Sequence, residues 1–193
     1  KQLEVAAARE AVPVEVLKER ISELGRPRNF FSACVDRRHP DATHVIAEVK
    51  RMSPSAGVIR EDFDPVAIAR AYAANGASAI SCLTDERFFG GRLEYIHRIR
   101  DAVKLPVLRK DFIVDIYQVW ESRAAGADAI LLIAEALPER DIIDFQILAT
   151  ELGMTTLLEV HDVEHLLRAV NIVGFPHASY SLLGINNRDL RTM

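Results

Sequence analysis

Five residues are the chemical starting point of this sequence: Glu48, Lys50, Lys110, Glu159 and Asn186. Each stands at the end of a short apolar run. Lysine and glutamate donate and accept protons, and asparagine orients polar groups. Leaving a lysine or a glutamate at the end of a buried strand is costly unless it has a task. The five lie far apart in sequence, so they form one site only if the fold brings the ends of several strands together. Parallel strands closing into a barrel do this, because all their carboxyl ends then open on one face.

The elements that must position them follow from periodicity and punctuation. Residues 1–24 read as two helices, Gln2–Val12 and Val14–Leu24, the second started by Pro13 and stopped by Gly25. Residues 26–43, with Pro27, Pro40 and clustered arginines, read as an irregular or partly helical connection. From His44 a strand–helix alternation begins. Strands are expected at Val45–Lys50, Ala79–Thr84, Val107–Lys110, Ala129–Ile133, Thr155–Glu159 and Leu182–Asn186. Helices are expected at Pro65–Asn75, capped by Asp64, then Leu93–Val103, Ile116–Ala125, Glu139–Leu152 and Val163–Val170. The strands are nearly continuous in apolar residues, as in a parallel sheet covered on both faces. The near-repeats Asn75–Ile80 and Ala125–Ile130 each end a helix and start a strand.

Six strands suit either a doubly wound open sheet or part of a barrel. Chemical residues on the first, third, fifth and sixth strands favour a closed ring. The expectation is an α/β fold, a (β/α)8 TIM barrel with about six βα units present, over residues 44–193, preceded by an N-terminal helical extension over 1–43. Such barrels take about 250 residues. The chain starts at Lys1 inside an amphipathic pattern and stops at Met193 just past a strand, so truncation at both ends is expected.

Composition excludes several functions. With 24 Lys+Arg against 28 Asp+Glu the net charge is −4, and no basic block supports nucleic-acid binding. No apolar run has the length of a membrane span and no secretory signal is visible. Cys34 and Cys82 read as reduced thiols of a cytoplasmic protein rather than a disulfide scaffold.

Five motifs in order carry a specific resemblance. They are Glu48-Val-Lys50-Arg-Met-Ser53-Pro-Ser, Leu83-Thr84 leading to Phe88-Phe89-Gly-Gly, Leu108-Arg-Lys110-Asp-Phe112-Ile, Leu158-Glu159-Val-His161-Asp, and Gly184-Ile-Asn186-Asn-Arg188-Asp-Leu. Together they resemble the indole-3-glycerol phosphate synthase family, and the N-terminal helices resemble its pre-barrel extension. The resemblance implies conversion of 1-(2-carboxyphenylamino)-1-deoxyribulose 5-phosphate to indole-3-glycerol phosphate in tryptophan synthesis. Ring closure is accompanied by loss of carbon dioxide and of water. It implies a small anionic sugar-phosphate substrate, no cofactor and no metal, with fusion to or association with other tryptophan-pathway enzymes an open option.

By the same resemblance Lys110 is the general acid and Glu159 the base, with Glu48 and Lys50 close by; which lysine acts in which step stays open. The chemistry asks for such groups. An aromatic carbon attacks a ketone whose oxygen needs a proton, and dehydration needs a base. Lys50, with Ser53 from the following loop, would meet an anionic group, and Arg188 would hold the substrate carboxylate with its planar fork. Asn186 would orient the anthranilate part, and Phe89, Phe112 and Leu131 would wall its ring. Each has a plainer alternative: a solvent-facing Lys110, a Glu159 that only pairs with it, a turn at Ser53, core packing for the apolar three.

Three features are set aside. His161 and His165 have the i,i+4 spacing of a metal pair but no visible third ligand, Gly90-Gly91 reads as a permissive turn, and Arg37-Arg38-His39 reads as solvated surface. Met52 and Ala56 replace the small and basic residues usual in the family. Arg92 stands where a capping serine is expected, and residues 174–181 look like a local insertion. The family's seventh-strand Glu-Ser motif and eighth-strand glycine loop have no counterpart, so little turnover is expected of the isolated chain. Rival readings are another sugar-phosphate barrel enzyme, such as an isomerase or a Schiff-base aldolase using Lys110, and a non-catalytic partner subunit.

Overall fold

The computed structural model describes residues 1–35, 41 and 43–187. Two amphipathic helices come first, α1 (Gln2–Ala11) and α2 (Val14–Glu23), then a short α3 (Phe30–Cys34). The alternating part follows: β1 (Ile46–Val49), a small hairpin of β2 (Met52–Ser53) and β3 (Gly57–Val58), α4 (Pro65–Ala74), β4 (Ala79–Leu83), α5 (Glu86–Phe89) and α6 (Glu94–Ala102). It continues with β5 (Val107–Lys110), α7 (Ile116–Ala124), β6 (Ala129–Ile133), α8 (Glu139–Glu151), β7 (Thr155–Val160), α9 (Val163–Ala169) and β8 (Ser181–Ile185). The main sheet has six strands in the order β1-β4-β5-β6-β7-β8, every pair parallel. Sequential parallel neighbours joined by helices make a partial barrel, and the open-sheet alternative falls away.

Strand side chains alternate between two faces. Toward the helices, Ala47, Val49, Ile80, Cys82, Val107, Ile130, Leu132, Leu158 and Val160 pack in the large core. Toward the barrel interior, Ile46, Ala79, Leu108, Ala129, Leu157 and Leu182 form a second layer around Phe30, which is fully buried. So α3, within the stretch expected to be a connection, closes the floor of the interior. The sequence signal for it was weak, since five residues are too few for a periodicity.

Local chemistry explains the element ends. Asp64 caps α4, accepting from Val66 N at 2.9 Å and Ala67 N at 3.2 Å, as anticipated. The segments 53–57 and 88–91, which fall between the expected strands and helices, are in part the β2–β3 hairpin and α5. Gly90 ends α5 in the left-handed conformation, φ 60°. Gly91 is more than a permissive turn: a Cβ there would sit 2.3 Å from the Leu83 carbonyl oxygen. Arg92 does not cap α6, whose N-cap position is Leu93 without a side-chain bond. Within residues 174–181 the chain forms a 3-10 turn, Ala178–Tyr180.

The first two helices dock on α7. Val5, Leu17 and Tyr117 share a small core, and the Tyr117 hydroxyl donates to the carbonyls of Ala8 at 3.0 Å and Val12 at 2.8 Å. Among the described residues no helix is long and apolar enough to cross a membrane.

Candidate active site

The strand ends converge. A cavity of about 320 Å³ opens at the carboxyl ends of the strands, lined by Glu48, Lys50, Leu83, Asp85, Phe89, Lys110, Asp111, Phe112, Leu131, Ile133, Glu159, His161 and Asn186. Most of these come in pairs two residues apart: 48 and 50, 83 and 85, 110 and 112, 131 and 133, 159 and 161. A strand sends residues i and i+2 to the same side, so five of the strands each contribute two successive inward positions at or just past their ends.

Glu159 is the hub. Its Oε2 lies 3.8 Å from Lys110 Nζ, reached across β6 from β5. Its Oε1 accepts from Asn186 Nδ2 at 3.1 Å and lies 3.4 Å from His161 Nε2. The Lys110 and Glu159 side chains are 28% and 14% exposed, so neither faces open solvent. The rival reading of Lys110 as a solvent-facing lysine does not describe this geometry. On the opposite wall Lys50 Nζ donates to Glu48 Oε1 at 2.5 Å. The apolar wall contains Leu131 and the tilted ring pair Phe89–Phe112, centroids 6.3 Å apart.

Under this floor runs a buried polar network. Asp111 Oδ2 accepts from Thr84 Oγ1 at 2.7 Å and from the Arg109 guanidinium at 3.0 Å. Its Oδ1 accepts from Phe112 N at 2.8 Å and lies 2.9 Å from Lys1 Nζ. Lys1 also pairs with Asp85 at 2.7 Å, and Arg109 with Glu121 at 2.8 Å. Burial opposes charge on Asp111, but Arg109, Lys1 and the Thr84 hydroxyl outweigh it and hold the carboxyl below its usual range. Burial likewise opposes charge on Lys1, and Asp85, Glu4 and Asp111 reverse it, raising its pKa. The network ties α1 to the loops that follow β4 and β5, which carry Phe89 and Phe112.

Of the residues expected from sequence, Glu48, Lys50, Phe89, Phe112, Lys110, Leu131, Glu159 and Asn186 meet at this cavity. Ser53 does not line it: the residue is buried in β2, and its hydroxyl accepts from Ala56 N at 3.2 Å, which closes the turn. Arg188 lies outside the described residues, as does the Arg37–His39 cluster. Sequence reasoning missed Asp85, Asp111 and His161, with Leu83 and Ile133. The i+2 relation to Glu159 and to Leu83 was the available signal for His161 and Asp85.

The histidine pair needs correcting. His161 precedes α9, and Asp162 caps that helix, accepting from His165 N at 2.9 Å. The two rings therefore do not share a helix face. A cluster of two carboxylates and one of the histidines does stand nearby: ligand atoms of Glu135, Asp162 and His165 lie within 4.8 Å of one another. Ion pairs explain that cluster, with His165 Nδ1 2.8 Å from Asp162 and 3.7 Å from Glu135.

Comparison with known proteins gives concordant results. A family model described as indole-3-glycerol phosphate synthase matches residues 1–193. An indole-3-glycerol phosphate synthase of Laribacter hongkongensis is 48% identical over 189 residues, 98% of this chain and 70% of that protein. One of Neisseria meningitidis serogroup C is 47% identical over 192 residues, 100% of this chain and 72% of that protein. Among solved structures, an N-acetylmannosamine-6-phosphate 2-epimerase from Clostridium perfringens superposes with TM-score 0.50 at 15% identity, over 67% of this chain and 58% of that one. A methylornithine synthase gives 0.53 at 11% identity, over 91% of this chain and 64% of that one. These two likenesses concern the fold alone.

Proposed function

Because the chain belongs to the indole-3-glycerol phosphate synthase family, we propose that the cavity at its strand ends is where that family's reaction takes place. The reaction is ring closure, decarboxylation and dehydration of 1-(2-carboxyphenylamino)-1-deoxyribulose 5-phosphate, making the chain a carboxy-lyase of tryptophan biosynthesis. The observation that carries the reading is the Lys110–Glu159 pair, 3.8 Å apart and facing a cavity with an aromatic wall.

In this reading the anthranilate ring lies against Phe89, Phe112 and Leu131, which exclude water from the reacting carbon. The Lys110 ammonium gives its proton to the ketone oxygen as the aromatic carbon attacks. Lys50, balanced by Glu48, meets an anionic group of the substrate as a compact point charge. Arg188, one residue past the Gly184–Asn187 segment, is assigned to the substrate carboxylate. The carboxylate leaves as carbon dioxide, its bonding pair restoring the aromatic ring; Glu159, held by Asn186, then removes a proton while the hydroxyl, protonated by a lysine ammonium, leaves as water. The barrel part, 44–193, carries these groups and the helices of 1–43 act as its extension. The cytoplasm is the proposed compartment, where Cys34 and Cys82 stay reduced.

The test is turnover of that substrate by the full-length protein, followed by indole fluorescence, with Lys110→Met as control. A general acid contributes about 10²- to 10⁴-fold, so kcat should fall by that factor while the fold is retained. Equal turnover by the variant would remove Lys110 from the mechanism. A borohydride-trapped lysine adduct with a ketose phosphate would replace this reading by the aldolase one.

A further inference from the structure

Behind Glu159 stands a pair of groups that the reaction scheme above does not use. His161 is only 9% exposed at its side chain, and its Nε2 faces Glu159 Oε1 at 3.4 Å. Its Nδ1 lies 3.1 Å from Glu135 Oε2, and its backbone N–H donates to Glu135 Oε1 at 2.7 Å. Glu135 thus grips the ring and the chain of the same residue, a two-point hold that leaves the imidazole little rotational freedom. Glu135 comes from the turn just past β6 and His161 from just past β7, so the contact also spans two adjacent strand ends. The other charged groups around the set are Lys110, which faces Glu159, and His165 and Asp162, which face Glu135.

The proton count makes the arrangement directional. Burial opposes charge on Glu135, but the His161 amide and ring outweigh it and hold its carboxyl below the usual range. An ionised Glu135 takes the Nδ1–H of the ring. The Nε2 atom then faces a second carboxylate. Two lone pairs would repel at that separation, so Nε2 meets Oε1 as an N–H donor. That proton and the Asn186 amide both act on Oε1. Oε2 is left toward Lys110 and the cavity. A carboxylate fixed on one oxygen by two donors presents the other in one direction, the logic by which a carboxylate-backed histidine orients its neighbour in many sites.

We propose that His161, backed by Glu135, is a positioning residue for the base Glu159: an N–H donated from Nε2 toward Oε1 fixes the carboxylate so that Oε2 meets the substrate. The inference rests on the assignment of Glu159 as base in the proposed synthase reaction. It adds two residues, one of which was first considered as half of a metal pair.

The experiment combines kinetics with a signal that needs no turnover. His161→Ala should lower kcat by about 10- to 100-fold, the usual cost of removing an orienting neighbour, with KM changed less than about threefold. His161→Gln, which returns an amide N–H near the Nε2 position, should recover most of that loss. In a Glu159→Gln background, His161→Ala should change kcat by less than about twofold, because the residue acts through Glu159. In parallel, the 15N signal of His161 Nε2 should move on Glu159→Gln and that of Nδ1 on Glu135→Gln. Independent, multiplicative losses in the double variant, or a loss confined to KM, would overturn the proposal, as would an Nε2 signal indifferent to Glu159→Gln. If the full-length wild-type protein turned over no substrate while the Nε2 signal still followed Glu159, the synthase reading would fail and the positioning contact would stand.

Discussion

Asp111→Asn isolates what the network beneath the cavity contributes. The carboxylate is 2% exposed at its side chain and stands between two cations, Arg109 at 3.0 Å and Lys1 at 2.9 Å. It also accepts from Thr84 and from the backbone of Phe112. The amide keeps the shape, removes the charge, and turns one accepting oxygen into a donor that faces other donors. Removing one partner of a buried ion pair costs about 3–5 kcal/mol. Here each cation keeps another partner, Glu121 for Arg109 and Asp85 for Lys1. The expected loss is therefore about 2–4 kcal/mol, below the full cost of an orphaned buried charge.

Urea unfolding is the assay. With a slope of about 2 kcal/mol per molar, the midpoint should fall by about 1–2 M at pH 7 with the slope unchanged. The pH dependence has a fixed sign. Asp111 has a folded pKa below its ordinary 3.8, so its contribution is fully present above that value. It is lost as pH falls through 3.8 toward the folded pKa, because protonation then removes the charge in the wild type too. The gap between wild type and variant should accordingly be widest at neutral pH and close below about pH 4. A gap under about 1 kcal/mol at pH 7, or one that stays constant down to pH 3, would refute the account. Lys1→Met should be strongly non-additive with Asp111→Asn, since both act on one network.

The remaining predictions concern neighbouring features. Gly91→Ala places a methyl 2.3 Å from the Leu83 carbonyl oxygen, a backbone atom that cannot rotate away. It should destabilise the chain by about 1–3 kcal/mol and raise KM through the displaced Phe89, with a melting scan and a substrate titration as readouts. Burial pushes the Cys34 thiol up to about 11 and the Cys82 thiol up to about 12. Both should be inert to a thiol reagent in the native chain at neutral pH and react fully in urea; fast native labelling would contradict their burial. Lys110→Met should leave the unfolding free energy within about 0.5 kcal/mol of wild type while kcat falls by about 10²- to 10⁴-fold, which separates chemistry from folding.

Much of this fold was readable because the barrel strands are apolar on both sides and are punctuated by residues with a mechanical role. Gly76 and Gly126 stop the helices before β4 and β6 with φ of 84° and 90°, and Asp64, Asp115 and Asp162 cap the helices after their loops. Strands at Val107–Lys110 and Ala129–Ile133 have the bounds expected from the sequence. What escaped was short or tertiary. The two-residue strands of the hairpin at Met52–Ser53 and Gly57–Val58, and the four-residue α5, are below the length at which a period can be counted. The role of Phe30 depends on where α3 lands, and nothing local to 30–34 states that it plugs the interior.

The site shows the same division, but with a rule that extends the reading of sequence. Glu48, Lys110 and Glu159 were conspicuous because a charged residue at the end of an apolar run is costly to bury without a task. Asp85 was passed over because it sits among polar loop residues, where a polar side chain is unremarked, and His161 because its spacing to His165 drew it into a metal-pair reading instead. Strand geometry supplies what local composition hides. Once Glu159 is known to face the interior, residue 161 is committed to the same side for as long as the chain stays extended, and the pairs 48/50, 83/85, 110/112 and 131/133 follow the same parity. The parity also explains why Arg109 serves the outer network rather than the cavity: it is one residue out of step with Lys110, and its guanidinium meets Glu121 and Ser122 of α7. A single-residue slip in β5 would exchange the two, turning the guanidinium into the pocket and the lysine into the core. The buried partners waiting for Arg109, namely Asp111, Thr84, Glu121 and Ser122, make that slipped register costly. The same network that ties down α1 therefore also keeps Lys110 facing Glu159.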